Sequence, residues 1–394
     1  MQYRLNKKGE KISSLGFGCM RLPKDDEALC KKLLYSAAEN GVNYFDTAYL
    51  YGGNEELLGK IIDKELRDKI NIASKLPHHL CKSGKDFDKI FYTTLKRLKT
   101  DRIDYYLIHS LNDVNVWQRL TRYGIKEWIA EKKQSGEIKN IGFSYHGATG
   151  DFKKLIDDFD WDFCQIQYNY LDENNQAGIT GLDYACEKGV PVIIMEPLRG
   201  GKLTNDLPDS AKEILKTENK NASDIGLRWV WNHKGVMTVL SGMRNENDLK
   251  LNLASAEKGL PDSFSDEDFL TVEKLKKEIN KYSVVPCTGC GYCLPCPYGV
   301  AIPTCFSDRN AYERNKNKRK LFKIDSAITH YVQSTGLLGK GAGNAGKCRG
   351  CGTCEKKCPQ HIEIRKALKE TAGVMEPWYI KVASKVAQTV NSRK

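Results

Sequence analysis

The 394-residue chain contains no apolar run approaching the roughly 20 residues needed to span a bilayer, so a membrane-embedded protein is not expected. Its first segment, Met1 to Glu10, is charged and lacks the apolar stretch of a secretory signal, which points to a cytoplasmic location. Asn221-Ala222-Ser223 then carries no meaning as a glycosylation site. No G-x-G-x-x-G follows any early strand-like run, which weighs against a doubly wound dinucleotide-binding sheet. Nor does any recognised nucleic-acid-binding motif accompany the net charge of +12, so no nucleic-acid partner is expected.

What the chain has in abundance is cysteine, with 14 of them. In a reducing compartment, thiols stay reduced, and a count this high speaks for metal binding rather than disulfides. Charge is unevenly placed as well. From Pro286 to Lys394 there are 19 Lys and Arg against 7 Asp and Glu, while residues 1–285 hold 43 of each. That excess reads either as compensation of clusters that are anionic once ligated by thiolates, together with solubility, or as a face for an acidic redox partner such as a ferredoxin or flavodoxin.

At this length one core rarely organises the whole chain, and two domains are expected. Short apolar runs alternate with longer amphipathic stretches, the pattern of repeated strand–helix units around a parallel sheet. Strands are predicted at Leu15–Gly18, Tyr44–Ala48, Ile70–Leu76, Ile103–Ser110, Asn140–Tyr145, Phe163–Tyr170, Pro191–Leu198 and Val236–Gly242. Helices are predicted between them, among them Glu27–Asn40, Asp86–Lys99, Trp117–Gln134 and Ala177–Lys188. Eight such units closing on themselves make a TIM (β/α)8 barrel. The expected division is a barrel over residues 1–260, a linker and connecting helix over 261–285, and a smaller, mainly α-helical ferredoxin-like domain over 286–394. Within the last, Arg314 to Lys323 reads as a solvated basic helix face and Gly336 to Gly346 as a flexible loop.

Two cysteine runs define that small domain: Cys287-Thr-Gly-Cys290-Gly-Tyr-Cys293-Leu-Pro-Cys296-Pro, and Cys348-Arg-Gly-Cys351-Gly-Thr-Cys354-Glu-Lys-Lys-Cys358-Pro. The second matches the bacterial ferredoxin spacing, in which three closely spaced thiolates wrap one four-iron cube and a fourth, before proline, reaches the other. Cys287, Cys290, Cys293 and Cys358 then hold one [4Fe-4S] cluster, and Cys348, Cys351, Cys354 and Cys296 the other. The first run has two residues before its last cysteine where the pattern has three, so Cys305 stands as an alternative to Cys296. Structural zinc is the competing reading, but zinc needs two cysteine pairs per site, not two runs of four ending in Cys-Pro. Cys19, Cys30, Cys81, Cys164 and Cys186 lack ligand spacing and read as ordinary buried residues.

Polar residues at the carboxyl ends of barrel strands carry the chemistry of this fold. Asp46, Tyr51, Lys75 and His109 fall at such ends, or just beyond them, on three successive strands. A tyrosine protonates a carbonyl oxygen poorly near neutrality, its ordinary pKa being about 10, but a cation such as Lys75 would lower it. Asp46 would hold that cation and His109 would orient the carbonyl. Asp46-Thr47-Ala48 with Tyr51-Gly52, Ala73-Ser74-Lys75 and Ile108-His109 resemble the tetrad of the aldo-keto reductases, in the family's order over residues 12–255 or so. The whole chain resembles those members that carry a carboxy-terminal ferredoxin-like domain with two [4Fe-4S] clusters.

That resemblance implies a nicotinamide cofactor, NADP or NAD, lying across the barrel mouth. It would be held by Gly18, Cys19 and Met20 after the first strand, Ser144 and Gln165 at the carboxamide, Pro197 and Leu198 after the seventh strand, and Gly242, Arg244 and Asn252 at the adenosine end. The chain departs from the family at three places. Tyr145 stands where an asparagine is usual, Met195 where a tyrosine often stacks on the nicotinamide, and Asp248 where an arginine often grips the 2'-phosphate. The expected activity is reduction of an aldehyde or ketone, or oxidation of the alcohol, coupled to electron transfer through the clusters. A second reading keeps only the electron transfer and makes the barrel a docking or sensing module.

Overall fold

The computed structural model describes residues 1–316, 326–337 and 343–383. Most of the expected basic helix face, residues 317–323, lies outside them, as do 338–342 of the expected glycine loop and 384–394. The chain divides into two compact units, Met1–Thr204 with Asn219–Val272, and Asn205–Glu218 with Glu273–Lys394.

Ten strands are found in the first unit: β1 (Tyr3–Leu5), β2 (Lys11–Ser13), β3 (Leu15–Gly18), β4 (Tyr44–Asp46), β5 (Asn71–Leu76), β6 (Ile103–Ile108), β7 (Ile138–Tyr145), β8 (Phe163–Gln167), β9 (Val192–Met195) and β10 (Val236–Ser241). The last eight, all at predicted positions, close into a barrel in the order β10-β3-β4-β5-β6-β7-β8-β9. Each neighbouring pair is parallel. The barrel strands are buried on both faces, so apolar residues sit on both: Phe45, Ile72, Ile108 and Phe143 pack outward against helices, while Tyr44, Ala73, Tyr105, Leu107, Phe163 and Ile193 fill the barrel.

Five strands end earlier than predicted, β4, β6 and β10 by one or two residues and β8 and β9 by three, the last two for local reasons. The Asn169 side chain accepts from the backbone N–H groups of Leu171 and Asp172, a turn that stops β8. Glu196, with φ +55°, takes the chain out of β9. The predicted helix Trp117–Gln134 is two helices, Val114–Arg122 and Ile125–Gln134, divided at Gly124, whose φ of +84° no helix interior accommodates.

The β1–β2 hairpin, absent from the sequence reading, pairs antiparallel with Tyr3 opposite Ser13. Three residues per strand are too few to show a period. Its turn places Asn6 Nδ2 2.9 Å from the Tyr105 hydroxyl inside the barrel.

The second unit is mainly helical, with helices Asp209–Thr217, Ile302–Asn315, Ser326–Ser334 and Ile364–Met375. Its core gathers Val300, Phe306, Tyr331, Leu368 and Met375, and Cys287, Cys293, Cys296, Cys348, Cys354 and Cys358 of the two runs pack against or within it. No helix among the described residues is long and apolar enough to cross a membrane.

Candidate active site and cluster-binding loops

Strand alternation and register bring the tetrad together. Side chains two residues apart share a face, so the inward positions Tyr44, Ala73 and Leu107 are followed inward by Asp46, Lys75 and His109. Asp46 lies opposite Ala73, and Lys75 opposite Leu107. His109 prolongs the ladder, its N–H donating to Leu76 O at 2.9 Å.

The Lys75 ammonium is 2.7 Å from each carboxylate oxygen of Asp46 and 2.7 Å from Thr47 O. Both side chains are buried. Tyr51, half-buried, lies with its ring centroid 5.1 Å from Lys75 Nζ and 6.1 Å from the His109 ring, edge to face. Burial raises the Asp46 carboxyl and Lys75 opposes the rise. Burial, followed by the charges of Lys75, His146, His79 and His78, holds His109 well below its ordinary value. The imidazole is therefore neutral at physiological pH. A neutral ring, a phenol and a fixed ammonium at one barrel mouth can hold a carbonyl oxygen and deliver a proton to it.

Two residues missed in the sequence reading hold this arrangement. Besides its carbonyl on Lys75, Thr47 donates its hydroxyl to Asn54 Oδ1 at 2.7 Å. Fully buried Asn54 donates in turn to Cys19 O at 2.8 Å, tying the ends of β3 and β4 together. The available signal was an asparagine opening a helix directly after Gly52-Gly53.

Most proposed cofactor residues line the same mouth. Gly18 and Gly242 close β3 and follow β10, and a Cβ on Gly242 would lie 3.7 Å from Gly18 O, leaving the two backbones side by side. Cys19 and Pro197 are buried, whereas Met20 is 40% exposed. Leu198 precedes Arg199, which is held by buried Asp172 at 2.9 Å; Gly200 O accepts from Arg21 at 2.6 Å. Ser144 Oγ accepts from Ser110 N at 2.8 Å. Gln165 donates toward Met195 Sδ at 3.4 Å, and its Oε1 is buried with no hydrogen-bond partner. An amide oxygen left so fits a ligand bearing an N–H, as a carboxamide does. At the far end, Asn252 donates to Ser241 Oγ at 2.6 Å, and Arg244 is exposed. The Asp248 carboxylate is folded back onto its own loop, accepting from Arg244 N and Asn245 Nδ2, each at 3.2 Å.

In the second unit the two cysteine loops share one backbone. Gly289 and Gly291 have φ of +72° and +82°, Gly350 and Gly352 +72° and +73°, and left-handed glycines between cysteines curl the chain around a centre. Cys287, Cys290, Cys293 and Cys358 line a single cavity with Phe306 and Ile362. Burial and the neighbouring thiols of the other three push the Cys293 thiol up to about 12. Four thiols turned on one cavity fit a cluster whose irons would lower those values by binding the thiolates. Cys348, Cys351 and Cys354 share the second loop, and Cys296 packs against the same small core. Cys305 is fully buried and donates to Gly343 O at 3.5 Å.

Comparison with known proteins agrees with both halves. Residues 14–276 match the aldo/keto reductase family, and residues 286–363 match a 4Fe-4S dicluster domain. Among curated relatives, methylglyoxal reductase YeaE of Escherichia coli (strain K12) is 28% identical over 252 residues, covering 58% of this chain and 82% of that protein. L-galactose dehydrogenase of Arabidopsis thaliana is 26% identical over 284 residues, covering 64% of this chain and 86% of that protein. Among solved structures, the holo form of aldo-keto reductase AKR11C1 from Bacillus halodurans superposes with a TM-score of 0.59 at 26% identity, covering 70% of this chain and 96% of that one.

Proposed function

The chain belongs to the aldo/keto reductase family and carries an iron–sulfur domain, and from that premise we propose that it reduces an aldehyde or ketone with NADPH or NADH while exchanging electrons through two [4Fe-4S] clusters. The observation that carries this reading is the buried Asp46–Lys75 pair beneath Tyr51, with neutral His109 alongside. The nicotinamide, when bound, supplies hydride; the clusters supply or store single electrons.

In this reading Asp46 and Thr47 O fix the Lys75 ammonium. Its positive field stabilises the phenolate that Tyr51 becomes as its hydroxyl proton passes to the carbonyl oxygen. His109 donates a hydrogen bond to the same oxygen and so aims the carbonyl carbon. Ser144 and Gln165 hold the carboxamide. Gly18, Cys19 and Met20, Pro197 and Leu198, and Gly242, Arg244 and Asn252 border the rest of the cofactor. Cys287, Cys290, Cys293 and Cys358 hold one cluster; Cys348, Cys351, Cys354 and Cys296 hold the other. Residues 1–260 form the catalytic domain, 286–394 the cluster domain, and 261–285 the connection.

Anaerobic reconstitution of the full chain tests both parts. About eight iron and eight sulfide per chain are expected for two such clusters. Bleaching of the cluster absorption by NADPH or NADH with the carbonyl absent would join the two sites into one electron path. Full cluster loading with no carbonyl reduction by either nicotinamide would remove the enzyme from this reading and leave electron transfer alone.

A further inference from the structure

The two cysteine loops match in backbone and differ in what surrounds them. Between Lys281 and Asp308 there is no Asp, Glu, Lys or Arg, so the first run sits in an uncharged stretch. From Ala345 through Glu370 there are seven Lys and Arg against three Asp and Glu. The loops also differ in access to solvent. Of the eight cysteines, Cys351 alone is exposed; the others are buried or partly so.

Cations share the loop with that exposed thiol. Arg349, Lys356 and Lys357 are exposed. The Arg365 guanidinium lies beside Gly352, its Cζ 3.7 Å from where a Cβ would stand. Glu355, the carboxylate within the loop, is taken up by Arg365, with Oε2 2.8 Å from its Nε and Oε1 2.8 Å from its backbone N. Arg349, Lys356 and Lys357 are left without a carboxylate partner among the described residues.

We propose that this loop is the docking face for an acidic one-electron carrier protein, which exchanges electrons with the cluster held by Cys348, Cys351 and Cys354. This rests on the two-cluster reading above. Three exposed cations without carboxylate partners, on the loop that carries the exposed ligand, attract a carboxylate-rich surface and bring its redox centre to the edge of the cluster that is nearest solvent. In the exchange, the reduced carrier loses one electron and the cluster gains it; no bond is made or broken and no proton moves.

The test uses the anaerobically reconstituted full chain, with an acidic plant-type [2Fe-2S] ferredoxin, chemically reduced, as one electron donor and reduced methyl viologen as the other. Cluster reduction is followed by stopped-flow absorbance at low and high salt. Arg349→Glu/Lys356→Glu/Lys357→Glu is expected to slow reduction by the ferredoxin roughly hundredfold at low salt, with the difference shrinking as salt rises. Reduction by methyl viologen and iron content should stay close to those of the unsubstituted protein. Equal slowing with both donors, or no slowing with either, would overturn the docking face. Binding of duplex DNA through the same three residues, with ferredoxin kinetics unchanged, would overturn it too and identify a polyanion site instead. Failure of the unsubstituted protein to load iron would end the two-cluster reading, a result separable from all of these.

Discussion

The Lys75 ammonium sits 2.7 Å from both carboxylate oxygens of Asp46, and the two side chains are 1% and 5% exposed. A buried pair of this kind is costly to break from one side, because the remaining charge loses its partner without regaining water. Lys75→Met should therefore lower stability by about 3–5 kcal/mol. Asp46→Asn/Lys75→Met, which leaves no buried charge, should lose less. Denaturant midpoints of the two variants decide the matter; equal losses would mean that the pair contributes little beyond packing.

Tyr51 is half-buried and contributes little to the core, so its removal should separate chemistry from folding. Tyr51→Phe is expected to reduce kcat for carbonyl reduction by about 100- to 10,000-fold, the range associated with general acid catalysis. Nicotinamide binding and thermal stability should change little. Steady-state kinetics beside a fluorescence titration of NADPH would show the separation, and undiminished kcat would remove Tyr51 from the acid role.

His109 supplies the pH dependence. Because burial, then Lys75 and the nearby histidines, hold its pKa well below 6.5, the folded protein keeps it neutral where the unfolded chain already takes up a proton. Stability linked to His109 is thus fully present above pH 6.5 and is lost progressively as pH falls below that. A plot of kcat/KM for the carbonyl should show no inflection near 6.5 from this residue. His109→Gln should flatten the decline in unfolding midpoint between pH 7 and 5. A decline as steep as in the unsubstituted protein would assign the proton uptake elsewhere.

The barrel was legible because its strands are buried on both faces and so appear as continuous apolar runs, such as Ile103–Ile108, bounded by polar helices. The tetrad was legible because Asp46, Lys75 and His109 stand at or beside strand ends and Tyr51 lies five residues beyond one. Asn54 was not, since an asparagine opening a helix ordinarily caps its own backbone, and only the turn at Gly53 carries its side chain to Thr47 and Cys19. The break at Gly124 was hidden for a related reason: Val114–Arg122 and Ile125–Gln134 keep a helical apolar pattern across it. The hairpin of β1 and β2 depends on pairing between Tyr3 and Ser13, a relation that no local pattern records.

Cofactor choice turns on the loop after β10. Arg244 is exposed there, whereas the Asp248 carboxylate is spent on Arg244 N and Asn245 Nδ2. A carboxylate so engaged repels a 2'-phosphate less than a free one, and Arg244 is left as the nearby cation. Arg244→Glu should raise KM for NADPH by roughly tenfold or more, in line with loss of a charge-assisted contact, and leave KM for NADH nearly unchanged. Parallel kinetics with the two nicotinamides would show it. Equal effects on both would place Arg244 away from the 2' position.

The eighth cluster ligand divides Cys296 from Cys305. Cys305 is fully buried in the helix Ile302–Asn315, donates to Gly343 O at 3.5 Å, and has its thiol pushed up to about 12 by burial. Its thiol is already engaged with a backbone carbonyl inside the small core. Cys296 is only partly buried, lies directly before a proline as Cys358 does, and packs against the same core as the other ligands. Cys296→Ala should leave one cluster intact and convert the other to a three-iron form or lose it, so that iron falls from about eight to between four and seven per chain. Cys305→Ala should keep full iron and sulfide and cost only the packing of a small buried side chain. Electron paramagnetic resonance of the reduced proteins distinguishes these outcomes, and the reverse pattern would move the ligand to Cys305.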